Sequence, residues 1–191
     1  SIEIPDSVTC IGESAFNGCS SLTGSIPENL FGYINGSHKV FMFQGTFDGC
    51  KGLTGSIPKN LFGTLSGTPK QAMFDGTFSN CAGLSGNIPD GLFGYISGTP
   101  ANAMFSYTFR GCSGLTGSIP ENLFGILSGA PATSMFGVTF MGCSGLTGPS
   151  AKINGQYLYE IWPDATNAQV IYMYRGATGL TDYADIPSTW K

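Results

Sequence analysis

Apolar positions in this chain do not follow a single period; they form a short motif that returns. In one copy Met73, Phe74, Thr77, Phe78 and Cys81 fall at i, i+1, i+4, i+5 and i+8. At the helical advance of about 100° per residue they fill an arc of about 140°, whereas a strand would send Met73 and Phe74 to opposite faces. The pattern therefore predicts a short helix, with Gly83 (and Gly52, Gly114 and Gly145 in the other copies) as its C-cap. Residues 84–88 read as a short strand that pairs copy to copy. Pro89 is placed to open a second helical turn through Leu92 and Phe93, since proline is tolerated at the first helical position. Gly98 and Pro100 then turn the chain back.

The copies are spaced evenly. Cys19, Cys50, Cys81, Cys112 and Cys143 follow at a constant step of 31, and so do Phe16, Phe47, Phe78, Phe109 and Phe140. Leu22 to Leu146 and Pro27 to Pro120 keep the same step, and a fainter copy, MYRGATGL, closes the chain with Ala177 in the Cys place. Substitution without insertion means that every unit follows one path and stacks on its neighbour, because a single unit cannot bury its apolar face alone. The expected architecture is an α/β, right-handed solenoid of about six coils with short strands and short helices. Residues 1–148 form the solenoid, and 149–191 a last degenerate repeat with an aromatic cap.

Composition narrows the function. Only 8 Lys+Arg and 12 Asp+Glu occur in 191 residues, against 29 Gly, for a net charge of −4. So few scattered basic groups cannot neutralise a phosphate backbone, which excludes nucleic acid as a partner. No apolar run approaches the ~18 residues of a membrane span.

The repeated residues resemble the leucine-rich repeat superfamily, most closely the bacterial surface-antigen (BspA-like) type. Segment 2–22, IEIPDSVTCIGESAFNGCSSL, carries IP, SV, IG, AF and Cys in that family's order, and the later LTGSIPxNLFG units are similar to the plant-type LxGxIP signature. The units here depart from that pattern in their length, which includes an added SG-[TA]-P segment. The resemblance implies an extracellular or cell-surface repeat protein that binds protein or glycan, or mediates adhesion, without catalysis or cofactor. It transfers no functional residue onto this chain.

Candidate chemistry is sparse. His38 is the only histidine, in a segment that varies between copies, which removes most acid–base chemistry. The carboxylates are scattered, with Glu28, Lys59, Asp90 and Glu121 sharing one column in either sign, so that column is surface. Neither a glycosidase pair, a zinc pattern nor a calcium loop is present. The Cys column beside Phe reads as a line of buried free thiols, Cys19 to Cys143, with Cys10 out of register. Asn35-Gly36-Ser37 matches a glycosylation acceptor, relevant only on a eukaryotic secretory route.

The tail holds Trp162 and Trp190. Asn154-Gly155 predicts a tight turn, and 156–161 and 169–174 read as two strands. The tryptophans serve either to cap the last coil or as an aromatic platform for sugar. Columns that escape the repeat are the ones free to meet a partner: Gln44, Asp75 and Ser106; Gly45, Gly76 and Tyr107; Asp48, Ser79 and Arg110. Their next members are Gly137, Val138 and Met141. An alternative role is a structural subunit: a first coil without a cap predicts either preceding sequence or head-to-tail self-association into a filament.

Overall fold

In the computed structural model, residues 3–5, 7–8, 10–34 and 39–191 are described. His38 and the Asn35-Gly36-Ser37 acceptor lie outside them. The repeats stack in register, and three columns of rings run through the interior. Phe47, Phe78, Phe109 and Phe140 continue from Phe16 and end on Tyr174, with centroids 5.5–5.9 Å apart. Phe43, Phe74, Phe105 and Phe136 stack at 5.5–6.1 Å, and Phe31, Phe62, Phe93 and Phe124 at 5.9–6.4 Å. Nearly all these rings are fully buried, each stabilising the fold by about 1.5–3 kcal/mol.

The stretch expected to be helical is not a helix. Phe41, Gly45 and Gly49 have φ of 61°, 58° and 75°, and Ala72, Gly76 and Asn80 repeat this at 50°, 63° and 59°. A left-handed residue every fourth position prevents the i→i−4 ladder of an α-helix. The amides of Gln44, Thr46, Asp48 and Cys50 instead donate to the carbonyls three residues back, at 3.0–3.3 Å. The alternate amides, those of Phe41, Phe43, Gly45, Phe47 and Gly49, donate to residues 71, 73, 75, 77 and 79 of the next coil at 2.7–3.0 Å. Every amide from 43 to 50 is thereby satisfied, half within its own turns and half between coils, as burial demands. The apolar spacing i, i+4, i+8 belongs to this four-residue turn and not to a 3.6-residue helix.

Gly83 is accordingly not a C-cap. A Cβ at the equivalent Gly52 would lie 2.7 Å from the Leu22 carbonyl oxygen, and at Gly145 2.5 Å from that of Leu115. The column is glycine because the backbone of the preceding coil passes too close for any side chain.

The strands are short: β1 (Ser66–Gly67), β2 (Gly86–Asn87), β3 (Tyr95–Gly98), β4 (Leu115–Thr116) and β5 (Ile126–Leu127) in the repeats, then β6 (Lys152–Ile153) and β7 (Gln156–Tyr157). β2 pairs β4 in parallel within the expected strand column, and the bridges Gly24↔Leu53, Gly55↔Leu84 and Gly117↔Leu146 extend it. A second parallel ladder, β1-β3-β5, occupies the segment expected only to turn the chain back. After Pro89 the chain makes a single turn, closed by Leu92 N–H to Pro89 O at 3.3 Å, and not a helical segment.

In the tail, β6 and β7 form an antiparallel hairpin around Asn154 (φ 49°) and Gly155 (φ 81°), the conformation a two-residue turn requires. The two strands expected there are otherwise absent. Residues 158–161 form the helix α1 (Leu158–Ile161), and 169–174 run from the helix α2 (Asn167–Val170) into a last copy of the turn ladder. Amides of Ser134, Phe136, Val138, Phe140 and Gly142 donate to that copy at 2.7–3.2 Å. Trp162 packs on Phe136 at 5.9 Å and donates Nε1–H to the Gly129 carbonyl at 2.9 Å. Trp190 lies 6.5 Å from Tyr174, at the end of its ring column. Their exposures of 4% and 1% leave neither ring open to a sugar. Ser150 and Asp182 tie the tail to the last full coil, Ser150 N–H and Oγ–H donating to the two carboxylate oxygens at 2.9 and 2.6 Å.

Candidate binding groove

Along the turn ladder, Met42, Phe43, Thr46, Phe47 and Cys50 point into the core, which leaves Gln44 and Asp48 on the outer surface of the same segment. Although Ser79, Ser106, Gly137 and Val138 are buried at their places, stacking sets the three variable columns side by side. They line one groove of about 530 Å³ across four coils, formed by Glu13, Gln44 and Asp75, by Ser14, Gly45, Gly76 and Tyr107, and by Asn17, Asp48, Ser79 and Arg110. Eight of the nine candidate residues are brought together there. Ser106 is the exception: it does not line the groove, and its hydroxyl donates to the Gly137 carbonyl at 3.1 Å, so it belongs to the scaffold. The sequence reading missed Glu13, Ser14 and Asn17, although each stands one full repeat before Gln44, Gly45 and Asp48.

Gly45 and Gly76 leave the groove floor without side chains, and Tyr107, 43% exposed, rises from the same column one coil on. Tyr107 adopts φ 54°, in the left-handed region its two predecessors fill with glycine, a placement that costs about 1–2 kcal/mol. The Arg110 guanidinium lies 5.8 Å from the Tyr107 ring centroid. The same pair recurs as Tyr172 and Arg175 at 4.7 Å, where the last step lengthens to 34.

Gln44 Nε2 donates to Asp75 Oδ2 at 3.1 Å, and Asn80 Nδ2 to Asp48 Oδ1 at 3.1 Å. Burial pushes the Asp75 carboxyl up to about 6; the Gln44 hydrogen bond opposes this and the nearby Asp48 charge adds to it.

The cysteine and threonine columns behind the groove are internal. Cys50, Cys81, Cys112 and Cys143 are buried free thiols, each donating to the carbonyl of the Phe in the coil before it at 3.0–3.1 Å. Burial first, and neighbouring thiols for Cys50, push Cys50 up to about 11 and Cys143 to about 12. Cys19 departs from the expected line: it is exposed. Thr77 Oγ1 lies 2.9 Å from the Phe74 carbonyl oxygen and 3.0 Å from that of Phe43, bridging two coils. Among the described residues, no group of three His, Cys, Asp or Glu is placed to hold a metal ion, and no helix is long and apolar enough to cross a membrane.

No protein-family model, curated protein or solved structure matches this chain.

Proposed function

We propose that this chain is a leucine-rich-repeat solenoid of the bacterial surface-antigen kind, secreted or displayed at the cell surface, that binds an extracellular macromolecule through the groove without catalysis. The observation that carries the reading is the convergence of three variable columns on one groove while the columns around them are held constant by packing. The polar, carboxylate-rich lining suits recognition by hydrogen bonds and charge and not by apolar burial.

The test is a surface-plasmon screen of the immobilised chain against a panel of purified extracellular proteins and glycans, followed by charge reversal. For any partner found, Asp48→Lys or Arg110→Glu changes the affinity, whereas Glu28→Lys or Lys59→Glu, on an exposed column away from the groove, leaves it unchanged. Equal effects at both sets overturn the assignment.

A further inference from the structure

We infer that the groove holds a neutral oligosaccharide chain, laid across the coils with one sugar ring near each coil and one ring stacked against Tyr107; this rests on the groove being the binding surface. Neighbouring coils are joined by backbone hydrogen bonds of 2.7–3.0 Å, as in paired strands, which sets successive coils about 4.7–4.9 Å apart. That step is close to the length of one pyranose unit in an extended glycan. An extended peptide returns a side chain to the same face only every ~6.6–6.8 Å and slips out of register over four coils.

Planar carboxylate and amide side chains, Glu13, Asn17, Gln44, Asp48 and Asp75, offer paired oxygens and N–H groups of the kind that match the neighbouring hydroxyls of a sugar. Gln44 engages Oδ2 of Asp75, and Asn80 engages Oδ1 of Asp48. The other oxygen of each carboxylate accepts no hydrogen bond among the described residues, and both side chains line the groove. These two internal bonds hold the acceptors in place before a ligand arrives, which reduces the ordering cost of binding. Carboxylates at this density disfavour an anionic glycan.

The bare backbone at Gly45 and Gly76 lets a flat ring descend to the floor, and Tyr107 provides an apolar face at the end of that floor.

The experiment is isothermal titration of the whole chain with neutral linear oligosaccharides of two to six units (gluco-, manno-, xylo- and N-acetylglucosamine series), and with a short arginine-lysine peptide. Tyr107→Gly is the key variant, because glycine relieves the positive φ and reproduces coils 2 and 3; its melting temperature is expected to stay level or rise. The expected result is binding of at least one neutral series, strengthening with length to about four units, one per coil, and then levelling off. Tyr107→Gly weakens that binding by about tenfold, the scale of one stacking contact, and Glu28→Ala leaves it unchanged. Binding of the peptide alone, weakened by Asp48→Lys, overturns the sugar assignment while keeping the groove. Glycan binding unaffected by Tyr107→Gly and by Asp75→Ala overturns it by placing the sugar elsewhere. Absence of binding by every series overturns it outright, and the wider panel then decides separately whether the groove binds at all.

Discussion

At the residue scale, position in the stack decides the chemistry of otherwise equivalent side chains. Cys19 and Cys50 occupy the same column, yet one is exposed and the other is fully covered and donates to Phe16. A thiol reagent attacks the thiolate, and burial holds the four inner thiols protonated well above neutral pH. Titration of the native chain is therefore expected to count two reactive thiols, Cys10 and Cys19, and six after denaturation; four or more fast thiols in the native state would refute the ladder. Asp75 gives a second prediction. Its carboxyl titrates near 6 when folded, above the ordinary 3.8, so between those values the folded state holds a proton that the unfolded state has lost. Stability then falls as pH rises through that window. Asp75→Asn, which keeps an oxygen for Gln44, is expected to raise the melting temperature near pH 7.5 and to leave it almost unchanged near pH 4. An equal gain at both pH values would show that burial does not hold a proton on Asp75 in the folded state.

At the scale of elements, the turn ladder replaces the helix that the apolar pattern suggested. Two periods compete for the same short segment. A four-residue period drifts from the helical one by about 40° per turn, or about 80° over two turns, which lies inside the apolar arc and leaves the pattern ambiguous. Gly, Asn or a small residue stands at many of the left-handed positions, as at Gly45 and Gly49 or Ala72, Gly76 and Asn80, but Phe41, Tyr107 and Val138 hold others, so residue type there does not separate the two periods. Gly83 carries the corresponding prediction. A Cβ there meets the Leu53 and Lys51 carbonyl oxygens of the coil before it, whereas one at Gly12 meets nothing within 4 Å. Gly83→Ala is expected to destabilise by about 1–3 kcal/mol in urea unfolding, the range of overpacking, and Gly12→Ala by much less. Equal effects would return Gly83 to the role of a local cap.

For the whole molecule, the tail decides how the ring columns end. Tyr174 takes the place of a phenylalanine, and Trp190 covers it while its carbonyl accepts the Tyr174 amide at 2.9 Å. The antiparallel hairpin and α1 carry Tyr159 against the same tryptophan, at 6.4 Å. Trp190→Ala removes a fully buried ring and is expected to cost about 3–5 kcal/mol by urea unfolding. The loss should be felt first by the last coil: hydrogen exchange is expected to quicken at the amides of Val138, Phe140 and Gly142, which donate into that coil, before those of Phe43 and Phe47. Uniform quickening along the stack would show that the coils unfold as one unit.

What the sequence determined by itself is whatever a one-dimensional period can express. The constant repeat step, the identity of the core columns, the surface column of Glu28 and Lys59, the three columns left to vary and the Asn154-Gly155 turn were all legible, because each is a statement about one position repeated or one local conformation. Tertiary structure decided the rest. Half of the ladder's amides find their acceptors one coil away, so the φ of every fourth residue answers to a neighbour a full repeat distant in sequence and not to local propensity. The same stacking brings carbonyls against Gly83, pairs β1, β3 and β5 through residues that look like loop, and buries both tryptophans. The groove is the clearest case: its columns can be read from the sequence, but its walls exist only because a glycine floor in two coils meets a tyrosine in the next.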